Sequence, residues 1–549
     1  MRRAGLFRAR GPAIRTEPPP ILFGVTGKLR PGEPVPANEP RRPRPNRRDP
    51  PRYDGSMPLR IAMIAAECEP WAKTGGLGDV VDALARALGH VPGATNGEVE
   101  VFLPRYRSVP VPTQTSGSRL VRVPDPRAQD GVTELTIVDV AANGYRLRLV
   151  DHPPAFDRDG MYGPASGGDF PDNPWRYGLF CRAALETLRT EPDRPIDILH
   201  IHDWHGGPAA IQRDAWLADD PVVGRAAIVI TLHNLAYHGW TGRDQLPQLG
   251  LVPGGGVLPA AADGVDLLRE GIVRAQVANT VSPGFAREAL TPEGSFGLAD
   301  ALAAKGDRFV GILNGLDTHV WDPATDADLA APFSAADLGG KVACRADLLE
   351  RLGFDPGDDS PVLGMIGRLD PQKGFDLVHD AAPRLVADGA RIVVQGSGDP
   401  RLAAGLRAMA AADPGRVAFI ERFDRAMARR IYAGADFFLM PSRFEPCGTG
   451  QMISLRYGTP PIVRRTGGLA DSVIDERTRP GKGTGFSFDA ATPAALAEAC
   501  EAAIAMRAAG GPPWDALVAR GMAVDFDWAR DAAPRYAALY ERAIRIRRG

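Results

Sequence analysis

The sequence predicts an α/β protein built from two Rossmann-like halves, each a doubly wound parallel sheet, facing one another across a cleft. Three observations carry this. Past Met57, short β-rich runs alternate with helical runs, and many of the β runs end in Gly, Ser, His or Asp where a helix begins. That alternation is the βα rhythm of parallel sheets. The segment Lys73–Val81 (KTGGLGDVV) recurs as Arg465–Val473 (RTGGLADSV), each time after a strand and before a helix, as two related βα units would leave it. Finally, 549 residues are enough for about two to four domains and a large buried core.

Taken in order, Leu59–Ala66 reads as a buried strand. The glycine-rich turn after it leads into a helix with Val80, Val81, Leu84 and Leu88 on one face. Further strands are expected at Val99–Leu103, Leu135–Val140, Ile196–Ile201, Ala227–Leu232 and Val277–Val281, then at Val362–Ile366, Arg391–Val394, Val417–Ile420, Phe437–Met440 and Pro461–Val463. The seam falls in Trp321–Ser360, rich in Pro, Asp, Ala and Gly. This gives a first half over residues 57–320 and a second over 321–527, followed by an amphipathic terminal helix over 528–549. Residues 1–56 are dominated by proline and arginine. They bury too little apolar surface to offset their ordering entropy, so they read as a disordered basic tail, or as sequence upstream of a natural start at Met57.

A net charge of −2 leaves no overall field for nucleic acid or an anionic membrane. No stretch resembles a membrane span, and no secretory signal is visible. Five cysteines, scattered and without CxxC spacing, fit a reduced cytoplasm.

Several turns carry chemistry. Lys73, Gly75, Gly76 and Gly78 lie where a strand meets a helix, either as an anion cradle of free amides or as an unliganded turn. In HDWH (His202–His205) the histidine spacing could suit zinc, but Gly206, Gly207 and Pro208 place the motif in a turn. A sugar-contacting surface or simple backbone bonding is preferred over a metal. His233 of TLHN ends a neighbouring strand on the same cleft edge as Asp203. Asn314 marks a polar turn in GILNGLD. Arg368 and Lys373 share the loop GRLDPQKG, where two cations invite phosphate or solvent. Glu445 lies in SRFEPCG beside Gly448 and Gly450, suited to holding sugar hydroxyls or to capping a helix. Cys447 lacks a nearby base for nucleophilic work. The Asp-x-Asp pairs Asp326/Asp328 and Asp525/Asp527 follow no nucleotide-binding strand and read as solvated or capping. No metal is expected, and cationic side chains must meet any diphosphate.

In this order, KTGGLGDVV, HDWH, TLHNLAYHG, GILNGLD, GRLDPQKG, SRFEPCG and RTGGLAD resemble the bacterial glycogen synthases and plant starch synthases, from about Met57 to the last helix. The resemblance implies a GT-B fold whose last helix returns to the N-terminal domain. It also implies retaining transfer of glucose from ADP-glucose to the non-reducing end of an α-1,4-glucan, with no cofactor. By the same resemblance, Lys73 meets the donor diphosphate from one side, with Gly75, Gly76, Asn314, Gly448 and Thr449 on the donor surface. Arg368 and Lys373 meet it from the other. Glu445 orients the glucose, and His233 lies beside its reacting edge. Asp203, Trp204 and Tyr162 are implied on the acceptor side, and Phe423 beside the base. Thr449-Gly450-Gln451 departs from the family's usual Leu-Thr-Gln. The alternatives are another glucosyltransferase of this fold, using UDP-glucose or a small acceptor, and a non-catalytic glucan-binding protein.

Overall fold

The computed structural model describes residues 59–90, 98–110, 115–164, 167–250 and 263–549. The expected basic tail over residues 1–56 lies outside the described residues.

Two sheets organise the chain. The first contains β1 (Ile61–Ile64), β2 (Val99–Pro104), β3 (Gly117–Pro124), β4 (Val132–Ala142), β5 (Tyr145–Asp151), β6 (Ile198–His202) and β7 (Ala227–Leu232). After a small ribbon of β8 (Trp240–Gly242) and β9 (Gly264–Asp266), it is completed by β10 (Val277–Thr280) and β11 (Phe309–Gly311). The second sheet contains β12 (Val362–Ile366), β13 (Arg391–Gln395), β14 (Val417–Ile420), β15 (Phe437–Met440), β16 (Pro461–Arg464) and β17 (Phe486–Phe488). β1, β2, β6 and β7 are buried along their whole length, as strands covered by helices on both faces must be.

The second sheet is parallel throughout, in the order β14-β13-β12-β15-β16-β17. This is the doubly wound order, and its direction reverses between β12 and β15. The first sheet runs β11-β10-β7-β6-β1-β2-β5-β4-β3, with its reversal between β1 and β6. The expected doubly wound parallel sheet is present from β11 to β5, and one edge adds to it, because β4 pairs antiparallel with both β3 and β5. The physical reason is a two-residue connection, Asn143-Gly144, with Gly144 at φ 84°. A parallel crossover cannot be that short, and Asn-Gly is a strong hairpin signal.

The lobes join at the end of β10. The Ser282 hydroxyl donates to the Pro446 carbonyl at 2.6 Å, and the helix Pro283–Glu288 lies against the helix Gly467–Ser472. The final helix, Ala533–Arg548, lies on the first sheet. Tyr536 and Tyr540, one turn apart, are both fully buried. Asn279 Nδ2 donates to the Tyr536 hydroxyl at 3.0 Å, and the Tyr540 hydroxyl lies 2.9 Å from His200 Nδ1. Among the described residues, no helix is long and apolar enough to cross a membrane.

Candidate active site

Ligands of open α/β sheets sit beyond the carboxyl ends of strands where the strand order reverses. Both reversal points open onto one cleft here, with a cavity volume of about 1040 Å³. One wall comes from the ends of β1, β6 and β7 and carries Glu67, Thr74–Gly76, Asp203, Trp204 and His233. The other comes from the ends of β12 and β15 and carries Arg368, Lys373, Ser442 and Glu445.

The second wall is tied together by local bonds. Lys373 closes a short 3₁₀ turn over Pro371–Lys373, which Asp370 caps through the Gln372 amide at 2.9 Å. Gln372 Nε2 donates to the Phe444 carbonyl at 3.0 Å, and the Arg443 amide donates to the Gln372 carbonyl at 2.7 Å. These bonds bring Lys373 Nζ to 2.6 Å from Glu445 Oε2, which also accepts from the Ser442 hydroxyl at 2.9 Å. The Glu445 side chain is 7 % exposed and that of Lys373 26 %, so this ion pair is largely out of water. Arg368 is half-exposed, 3.7 Å from Asp370.

Gly374 makes this turn possible. It sits at φ 74°, and a Cβ there would lie 2.3 Å from the Pro441 carbonyl oxygen. Gly374→Ala is therefore expected to lower stability by about 1–3 kcal/mol from backbone strain alone and to displace Lys373. Paired measurements of Tm and kcat check this; an unchanged Tm with full turnover would contradict it.

On the first wall, Glu67 is buried and accepts from the Thr74 amide at 2.7 Å, the Gly75 amide at 2.9 Å and the Tyr162 hydroxyl at 2.6 Å. The protein's own carboxylate thus occupies the first amides of the glycine-rich turn. The repeated turn behaves alike: the Gly467 amide donates to Glu288 at 2.7 Å. Its glycines press on the Glu445 and Cys447 carbonyls, and the turn does not line the cleft.

The run carrying HDWH ends a strand and opens a helix, as expected, but the motif lies in the first turn of that helix and not in a turn ahead of it. Asp203–Trp216 is a helix, and Asp203 sits at φ 50°. Gly206 and Gly207 are inside it because Cβ atoms there would lie 2.7 Å from Ile201 and 2.2 Å from the Leu267 carbonyl. Asp203 Oδ1 accepts from the His233 amide at 2.7 Å, joining the ends of the parallel neighbours β6 and β7. His202 Nδ1 lies 3.0 Å from His233 Nε2. Trp204 stacks on His205 at 4.0 Å, and Tyr162 lies 4.8 Å from His205.

Burial sets the protonation states. It pushes His200, His205 and His233 down to about 3, so these imidazoles are neutral at working pH. It raises Asp203 to about 7. The folded chain then holds a proton at Asp203 that the unfolded chain, with its carboxyl at the ordinary aspartate value, has already lost. This contribution lowers stability as pH rises from about 4 to about 7 and is constant above. Asp203→Asn keeps the accepting oxygen and removes the titration. Its unfolding free energy should therefore lose about one proton's worth of pH slope in that window. Parallel slopes in denaturant titrations of the two proteins would contradict this. Burial raises the Cys447 thiol to about 12, against a thiolate nucleophile.

Of the residues expected at the site, Gly75, Gly76, Tyr162, Asp203, Trp204, His233, Asn314, Arg368, Lys373, Glu445, Gly448 and Thr449 line this one cleft. Two do not. Lys73 points to Asp79 and to Glu69, 3.6 Å away, with a side chain 41 % exposed. Phe423 is 77 % exposed, outside the cleft lining. Gly450 accommodates the rings behind it, since a Cβ there would meet Phe438 at 2.9 Å and the Tyr432 hydroxyl at 3.3 Å. Asp326 is not solvated: its side chain is 1 % exposed and 2.6 Å from Arg429, while its Oδ1 caps a turn by accepting from the Asp328 amide at 3.0 Å. Sequence reasoning missed Glu67, Ser442 and His202. The end of β1 was the available signal for Glu67, because that is where a sheet of this kind places its ligand groups. Among the described residues, no three His, Cys, Asp or Glu side chains are grouped to hold a metal ion.

Known proteins match the chain over most of its length. The family described as starch synthase catalytic domain matches residues 60–304, and glycosyl transferases group 1 matches residues 360–506. A glycogen synthase of Anaeromyxobacter dehalogenans (strain 2CP-C) is 42% identical over 499 residues, covering 88% of this chain and 99% of that protein. One of Syntrophotalea carbinolica is 38% identical over 495 residues, covering 89% and 99%. The catalytic domain of starch synthase IV from Arabidopsis thaliana, solved bound to ADP and acarbose, superposes with a TM-score of 0.78. It is 33% identical, covering 89% of this chain and 100% of that one.

Proposed function

The chain belongs to the glycogen and starch synthase family of glycosyltransferases, and from that premise we propose how its cleft moves glucose from ADP-glucose to the non-reducing end of an α-1,4-glucan. One observation supports the reading above the others. The Lys373–Glu445 pair and Arg368 on one wall face Asp203, Tyr162 and His233 on the opposite wall of a single cavity.

Breaking the bond between glucose C1 and the diphosphate leaves negative charge on the departing oxygens. Lys373 and Arg368 are positioned to receive it, and fixed cations at a developing charge are a large catalytic term. Glu445 holds Lys373 in place and lends its own charge to the oxocarbenium character at C1. Lys73 joins from the first wall. Its present pair with Asp79 is half-exposed and contributes little, so a diphosphate can replace it. Attack is from the front face. The acceptor O4 bonds to C1 as the C1–O bond to phosphate breaks, and the O4 proton passes to the departing phosphate. Tyr162, Trp204 and Asp203 offer the ring faces and polar groups that orient an acceptor. Closure of the two lobes excludes water that would hydrolyse the donor. A cytoplasmic setting is part of this proposal, supported by five cysteines that are all free thiols.

The test is competition: labelled ADP-glucose and labelled UDP-glucose, each with glycogen. The reading expects label in polymer and a clear preference for ADP-glucose. Preference for UDP-glucose, or label confined to free glucose, would reject it.

A further inference from the structure

Proton counting among the buried histidines determines what His233 offers to the cleft. His202 is fully buried, and its Nδ1 lies 3.0 Å from His233 Nε2, so one proton must lie between them. Burial, reinforced by His200 and His233, keeps His202 neutral. Each ring therefore carries a single N–H. The other nitrogen of His202, Nε2, is buried with no hydrogen-bond partner among the described residues.

The adjacent ring cannot supply one. His200 Nε2 lies 2.7 Å from the Thr231 hydroxyl, whose own proton goes to Asn279 Oδ1 at 2.8 Å. His200 Nε2 is thus the donor, and its Nδ1 accepts from the Tyr540 hydroxyl at 2.9 Å. Both nitrogens of His200 are committed. Two arrangements remain for His202. With its proton on Nε2, a buried N–H would have no acceptor, the rarer and costlier orphan. With its proton on Nδ1, it donates to His233 and leaves only a lone pair unmatched.

We propose that His202 is a positioning residue that locks His233 in its Nδ1–H tautomer, so that His233 meets the sugar as a hydrogen-bond donor. The His233 amide is held independently by Asp203, so ring and backbone are both fixed. With its Nε2 lone pair used, His233 has no basic nitrogen for the acceptor hydroxyl. That agrees with the proton leaving on the diphosphate. The inference rests on the glycosyl-transfer reading for its role, while the tautomer itself can be read without substrate.

The experiment is long-range proton–nitrogen correlation NMR on the full chain with ring-labelled histidine, the His233 signals being identified by their loss in His233→Gln. The expected spectrum has a pyrrole-type Nδ1 and a pyridine-type Nε2, unchanged between about pH 8 and pH 5. His202→Asn places an amide N–H where Nδ1 stood and should preserve both the pattern and kcat. His202→Gln places it where Nε2 stood and should erase the pattern and lower kcat about tenfold, the scale of one hydrogen bond, with donor KM little changed. A wild-type His233 protonated on Nε2 would overturn the proposal, even if no variant folds. So would His202→Gln with wild-type spectrum and turnover. Loss of glucosyl transfer in the wild type with the expected spectrum would instead reject the functional reading.

Discussion

Glu445→Ala is expected to lower kcat about 10³-fold while glucan binding stays within about twofold. The carboxylate is buried, accepts from Ser442 and sits 2.6 Å from Lys373 Nζ. Removing it takes away a charge beside the reacting carbon and leaves a largely desolvated ammonium without its partner. Both losses fall on the transition state more than on the bound glucan, and preorganised groups of this kind are typically worth factors of about 10²–10³ each. Glu445→Gln keeps the volume and an oxygen for Ser442 but removes the charge, so it should fall nearly as far. Turnover at saturating ADP-glucose and glycogen, with glucan affinity measured separately, checks this. A kcat within tenfold of wild type would remove Glu445 from the chemistry.

Lys373→Ala is expected to reduce kcat/KM for ADP-glucose about 10²–10³-fold, more than Arg368→Ala. The difference follows from surroundings: Lys373 is held against Glu445 with a quarter of its side chain exposed, whereas half of Arg368 lies in water. Because Lys373 and Glu445 act as a pair, the double variant should lose far less than the product of the single losses. A strictly multiplicative double variant would mean the two groups work independently, against the geometry described here.

Much of this was legible in the sequence for identifiable reasons. The strands Ala227–Leu232, Val362–Ile366, Val417–Ile420 and Phe437–Met440 fall where apolar β-rich runs end in turn residues, since parallel strands must bury both faces. Most of the cleft residues were legible because they sit just past a strand end, in the turn or in the first residues of the helix that follows. The antiparallel edge was not anticipated, although Asn143-Gly144 carried its signal. Lys73 and Phe423 show the other limit. The resemblance implied a place near the donor for both, but a side chain takes its direction from local surroundings, here Asp79 for Lys73. Glu67, just past β1 and close in sequence to the turn it occupies, was within reach of the sequence, whereas Glu288 is distant in the chain from Gly467 and only the folded topology brings the two together. The role of His202 was hidden for the same reason, because its partner His233 lies on the next strand.

The central claim is that positive groups from both walls meet one diphosphate. Calorimetric titration of ADP into the wild type, Lys73→Ala and Arg368→Ala tests it most directly, since the two side chains come from opposite lobes. The account predicts that each substitution weakens ADP binding about tenfold or more, the scale of one charge-assisted hydrogen bond. ADP affinity left at the wild-type value in Lys73→Ala would contradict it.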